Sequence, residues 1–158
     1  MEAYPPSGVA ARIQAARTRA GLDPQTVSEA LGITLPAYFD LESFDDELFT
    51  CLSLEEVMKL AQVLGVSPLS LVAGDEIAHR VTGEMSLTDL INRVREYIRL
   101  HSLTPAAFSD RVGWDMSPAL LEPDRAWHSW SLDWLHDVCA ELKIEWMAVL
   151  RARPGRAG

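Results

Sequence analysis

The sequence predicts an all-α fold of two tandem bundles, each of four to five helices. Three observations predict it. From Gly21 to Val72, short segments follow one another with their own helix start and stop signals. That stretch returns later in the chain. The composition, 48% apolar and 23% charged over 158 residues, is that of an ordinary globular protein with room for two small domains.

The elements follow in order. Residues 1–7 contain Pro5-Pro6 and are expected to form a flexible arm. Gly8 to Ala20 predicts a helix with Val9, Ile13 and Ala16 on one side and Arg12, Arg17 and Arg19 as its basic cluster. Asp23 is placed to cap a helix that begins at Pro24 and stops at Gly32. Thr34 is placed to cap a segment running to about Ser43. Phe44 to Leu52 reads as an acidic loop: a solvated run, or, in a sharper reading, a docking surface for a basic partner. Ser53 and Glu56 form a capping box. The helix they start carries Leu54, Val57, Leu60, Ala61 and Leu64 on one face and ends at Gly65. Ser67-Pro68 opens another helix. The first domain is expected over residues 8–74 and a joint over 75–85, where Ile77 and Val81 are compatible with a short helix.

The second copy is read from register. Val94 to Trp114 matches Ile13 to Ile33 at a shift of 81, with Pro105 on Pro24 and Gly113 on Gly32. Leu132, Leu135, Val138, Cys139 and Leu142 match Leu54, Val57, Leu60, Ala61 and Leu64 at a shift of 78. One three-residue deletion between Gly113 and Trp130 accounts for the change, and duplication explains a register held on both sides of it. Ser86 caps the leading helix of this copy, whose buried face is Leu90, Ile91, Val94, Tyr97 and Ile98. The third helix, DMSPALLEPDR, is shortened by the deletion. The second domain is expected over 86–151 and a disordered tail over 152–158, the stretch around it carrying Arg151, Arg153 and Arg156.

Leu22, Val27, Leu31-Gly32-Ile33, Tyr38, Leu41-Glu42, Leu54, Val57, Leu60, Ala61, Leu64-Gly65-Val66 and Leu71 resemble the Cro/lambda-repressor-like (XRE) helix-turn-helix family. The second copy resembles it more weakly. The resemblance implies bundles whose second and third helices meet DNA, and a transcriptional regulator that binds duplex DNA as a dimer. The residues it points to are Arg12, Arg17, Arg19, Gln25 and Thr34 in the first copy, and Arg93, Arg95, Arg99, Ser117 and Arg125 in the second. The family's glutamine at the start of its second helix is replaced by Pro24 and Pro105, with Gln25 one position on.

The charge opposes ordinary DNA reading. The net charge is −9, of which residues 1–79 hold −8. Base and phosphate contacts come above all from Arg, Lys, Asn and Gln. Thr34 to Glu47 has none of these and carries five acids. The alternative expectation is therefore a degenerate helix-turn-helix interaction module that does not read DNA. All five tryptophans lie in the second copy, and Trp127, Trp130 and Trp134 are expected to form an aromatic interface, Trp134 standing where the first copy has Glu56. That interface would serve a homodimer or a protein partner.

Other classes are not expected. No phosphate loop, nucleophile motif or paired carboxylates suggest an enzyme or a small-molecule substrate. His136 and Cys139 lie three apart but have no evident fourth ligand, so no metal and no cofactor is expected. Cys51 and Cys139 do not make a disulfide framework. No stretch approaches membrane-spanning length and the N-terminal residues do not read as a signal peptide, so a cytoplasmic protein is expected.

Overall fold

The computed structural model describes residues 3–152; these hold thirteen helices and no strand. Residues 1–2 of the expected arm, and Arg153 and Arg156 of the expected tail, lie outside the described residues. The chain divides into two compact units between Val81 and Thr82.

The first unit contains α1 (Val9–Arg19), α2 (Pro24–Leu31), α3 (Leu35–Ser43), α4 (Glu47–Thr50), α5 (Leu54–Leu64), α6 (Pro68–Ala73) and α7 (Asp75–Arg80). Local chemistry sets most ends. Asp23 accepts from the Thr26 N–H at 2.7 Å and Thr34 Oγ1 from the Ala37 N–H at 3.3 Å. Both halves of the Ser53–Glu56 capping box form, at 3.0 and 3.2 Å. Gly32 and Gly65 close α2 and α5 with φ of 70°, a left-handed conformation glycine adopts without a Cβ penalty.

Packing follows the apolar faces. α1 packs on α3 and α6, α2 on α3 and α5, and α5 on α6. Val9, Ile13, Val27, Tyr38, Val57 and Leu60 are fully buried between them. The stretch expected as a loop from Phe44 to Leu52 contains α4, because Leu48 and Phe49 are both buried. Tyr4, in the expected arm, lies edge-on to Phe49 with centroids 5.7 Å apart. Residues 75–80 of the expected joint form α7, which packs on α6.

One cap comes from far along the chain. Gly8, at the N-cap of α1, supplies no side-chain cap. Asp45 supplies it: Oδ1 accepts from the Ala10 N–H and Oδ2 from the Gly8 N–H, each at 2.9 Å. These two donors hold the Asp45 carboxyl below the usual carboxylate range. A carboxylate depressed on folding stabilises above its unfolded pKa of about 3.9 and loses that effect as pH falls through the folded value. Asp45→Ala is expected to cost about 1 kcal/mol at neutral pH. The difference from wild type should shrink below about pH 4. Urea midpoints at neutral and acid pH check both statements.

The second unit contains α8 (Leu87–Leu100), α9 (Pro105–Val112), α10 (Ser117–Leu121), α11 (Asp124–Ser129), α12 (Leu132–Leu142) and α13 (Met147–Arg151). α9 has the bounds of α2 displaced by 81 residues, and α12 those of α5 displaced by 78. The pairings recur too: α10 packs on α8 and α9, and α12 on α8 and α9, as α3 and α5 do on α1 and α2. The shortening falls on α10, which has five residues where α3 has nine. Glu122 precedes Pro123 and is extended, at φ −134° and ψ 98°, so α10 ends there. α13 is held to the segment before α8 by Met85 N–H to Ala148 O at 3.2 Å and Arg151 Nη1 to Gly83 O at 3.1 Å.

Candidate functional site

The arginines of α1 split into two that turn inward and one that stays out. Arg12 and Arg17, expected on a solvated or phosphate-facing side, are committed inside the unit. Arg12 donates to three carbonyls: Leu71 at 3.0 Å, Val72 at 2.8 Å and Ser7 at 2.9 Å. It thereby supplies donors to carbonyls of α6, a helix that has no cation of its own in its last turn. Burial lowers its pKa, opposed by the charges of Asp45 and Asp75.

Arg17 pairs with Glu42 of α3 through Nε and, at 3.3 Å, through Nη2. It also donates to the Leu22 carbonyl at 3.0 Å. The buried Tyr38 hydroxyl donates to the same Glu42 at 2.8 Å. The two charged side chains are only 15% and 9% exposed, so this is an interior lock between α1 and α3. Its hydrogen bonds to Glu42 hold the Arg17 pKa above its ordinary value. The second unit does not repeat it in place: at a shift of 81, Ile98 and Ala119 stand where Arg17 and Tyr38 stand. A different trio joins its helices, Tyr97 donating to Glu141 at 2.7 Å and Arg111 to the Tyr97 hydroxyl at 3.2 Å. Arg19 is exposed at the end of α1.

The outward side of α3 is the face that the family resemblance assigns to DNA. It presents Pro36, Ala37, Phe39, Asp40 and Ser43, all exposed. The only side-chain donor in that set, Ser43 Oγ, bonds back to the Phe39 carbonyl at 2.7 Å. Thr34 is used as a cap, and the Gln25 amide donates to Glu29 at 2.7 Å on α2. The expected site residues of the first unit do not converge on one surface.

In the second unit Arg93, Arg95 and Arg99 lie exposed on α8, but acids and carbonyls accompany them. Arg99 pairs with Glu96. Arg95 donates to Asn92 Oδ1 at 2.9 Å and to the Leu120 carbonyl of α10. Arg93 shares a shallow depression with Glu84, Asp89 and Glu96. Arg125 pairs with Glu122 at 2.9 Å, and Ser117 sits exposed at the start of α10. The structure thus brings the α8 row to α10 through Arg95 alone.

The tryptophan strip is a stacked ladder. Trp134 lies between Trp114, with centroids 5.0 Å apart at 12°, and Trp130, at 5.3 Å and 16°. Trp130 is 1% exposed, which corrects its expected place on an interface. Trp134 is half-buried because its ring faces are covered and its Nε1 reaches Met116 Sδ at 3.4 Å. Trp114 Nε1 donates to Asp137 at 2.9 Å. Trp127 is half-buried on α11. Register carried the missed signal: Trp130 falls on Leu52 at the shift of 78, and Leu52 is buried. Cys139 is buried too, and burial pushes its thiol up to about 12, with the Glu145 charge adding to it.

No helix among the described residues is long and apolar enough to cross a membrane. No family model matches the chain, and neither does any curated protein or solved structure.

Proposed function

We propose that this chain is a cytoplasmic interaction module built from two helix-turn-helix-like units, and that it does not read DNA sequence. One observation carries the reading: the outward side of α3 offers a duplex two exposed acids' worth of repulsion nearby and no usable donor. Asp40 lies on that side and Asp46 just beyond it, while Ser43 is bonded to its own helix. Sequence readout needs hydrogen-bonding side chains at base edges. Arg12 and Arg17 hold the first unit together, so they are not spare cations for phosphates.

A second reading is a duplex-binding regulator of the repressor-like type, acting as a dimer. The exposed Arg93, Arg95 and Arg99 on α8 favour it. Fluorescence anisotropy with a labelled mixed-sequence duplex at about 50 mM salt separates the two. The first reading expects no saturable binding. The second expects binding that weakens steeply with salt and is lost when the three arginines become alanine.

A further inference from the structure

Four large apolar side chains stand out as exposed among the described residues: Phe39, Phe44, Leu100 and Leu121. Two of them, Phe39 at 46% and Phe44 at 55%, lie five positions apart on and just past α3. The Phe44 N–H donates to the Asp40 carbonyl at 2.9 Å, so Phe44 lies one turn beyond Asp40 where α3 ends. Exposed aromatic side chains beside a charged rim suit a contact site. The acids beside them divide into used and unused. Glu42 belongs to the lock, Asp45 caps α1, and Asp23 and Glu56 cap α2 and α5. Asp40 and Asp46 are exposed and enter no ion pair among the described residues. No Lys or Arg occurs between Arg19 and Lys59 to neutralise them.

We infer that the α3 face docks a basic amphipathic segment of another protein, its apolar side on Phe39 and Phe44 and its Lys or Arg side chains on Asp40 and Asp46. This rests on the interaction-module reading and names the partner's chemistry. Charge complementarity selects the occupant. A neutral apolar segment would leave two carboxylates facing it unpaired, whereas an acidic one would be repelled by a unit of net charge −8 over residues 1–79. The aromatic rings supply buried area and the carboxylates orientation.

The test uses the full chain, isotopically labelled, titrated with a short helical peptide that has leucine on one side and lysine on the other. The expected result is a shift of α3 amides, with affinity that falls as salt rises from about 0.05 to 0.3 M. Phe39→Ser with Phe44→Ser, and separately Asp40→Asn with Asp46→Asn, should each weaken binding by about tenfold or more. All four positions are exposed, and circular dichroism verifies that the variants fold. Equal binding of the peptide with glutamate in place of lysine overturns the inference. So does binding that ignores both variants, or no binding at all. Concentration-dependent self-association that Phe39→Ser and Phe44→Ser abolish also overturns it, in favour of a second copy of the chain. Duplex DNA added to the same sample separates the failures. If the peptide fails and DNA moves no α3 amide, only the inference falls; if DNA moves them, the interaction-module reading falls as well.

Discussion

Replacing Glu42 with alanine is expected to destabilise the first unit strongly while the second keeps its stability. Glu42 is the shared acceptor of Arg17 and Tyr38, and its side chain is 9% exposed. Its removal leaves a mostly buried guanidinium and a buried phenol without their acceptor. Breaking a buried pair in this way costs about 3–5 kcal/mol, a large share of the roughly 5–15 kcal/mol that holds a typical domain. The tryptophans make the result legible. All five lie beyond residue 113, so their fluorescence reports the second unit, whereas circular dichroism reports helices of both. Glu42→Ala should therefore lower the midpoint of part of the dichroism signal and leave the fluorescence midpoint in place. Replacing Arg17 with methionine, Tyr38 with phenylalanine and Glu42 with methionine together should cost less, because no charge or hydroxyl is then orphaned. Unchanged dichroism in Glu42→Ala would show that the lock contributes little.

Trp130→Ala is expected to do the reverse. Trp130 is among the largest fully buried side chains, and it supports one side of the stacked Trp134. Deleting a buried aromatic ring costs about 3–5 kcal/mol, and the lost stacking adds about 0.5–1.5 kcal/mol. The fluorescence transition should move to much lower urea, while a dichroism component from the first unit stays near its wild-type midpoint. A fluorescence midpoint close to wild type would place Trp130 outside the structural core of its unit.

The helices were largely legible in the sequence, and the candidate site much less so. Helix ends were legible because their causes are local. Asp23, Thr34, Ser53 with Glu56, Ser67 and Ser86 each cap a backbone N–H three residues on. The contacts that decide which arginines face water are not local. Arg12 meets carbonyls 59 and 60 positions away, Arg17 an acid 25 away, and Asp45 an N-terminus 35 to 37 away. Periodicity places Arg12 and Arg17 on the two flanks of the Val9, Ile13 and Ala16 stripe of α1, and nothing in it says that α6 and α3 cover those flanks. The tryptophans show a different limit. Trp134 stands where the first unit has the capping Glu56, and pattern alone sends a glutamate position outward, yet both residues are half-buried. In the second unit the stacked neighbours Trp114 and Trp130 supply the cover. α10 was legible as shortened, because the three-residue deletion and Pro118 and Pro123 all fall on it.

The measurement that bears most directly on the interaction-module reading is selection from a random-sequence duplex pool by the purified full chain at low salt. The reading predicts recovered duplexes with no common sequence, in proportion to the input pool, from protein shown by dichroism to be folded. Enrichment of a defined motif would contradict it, and would require base-edge contacts from side chains other than those that α3 presents.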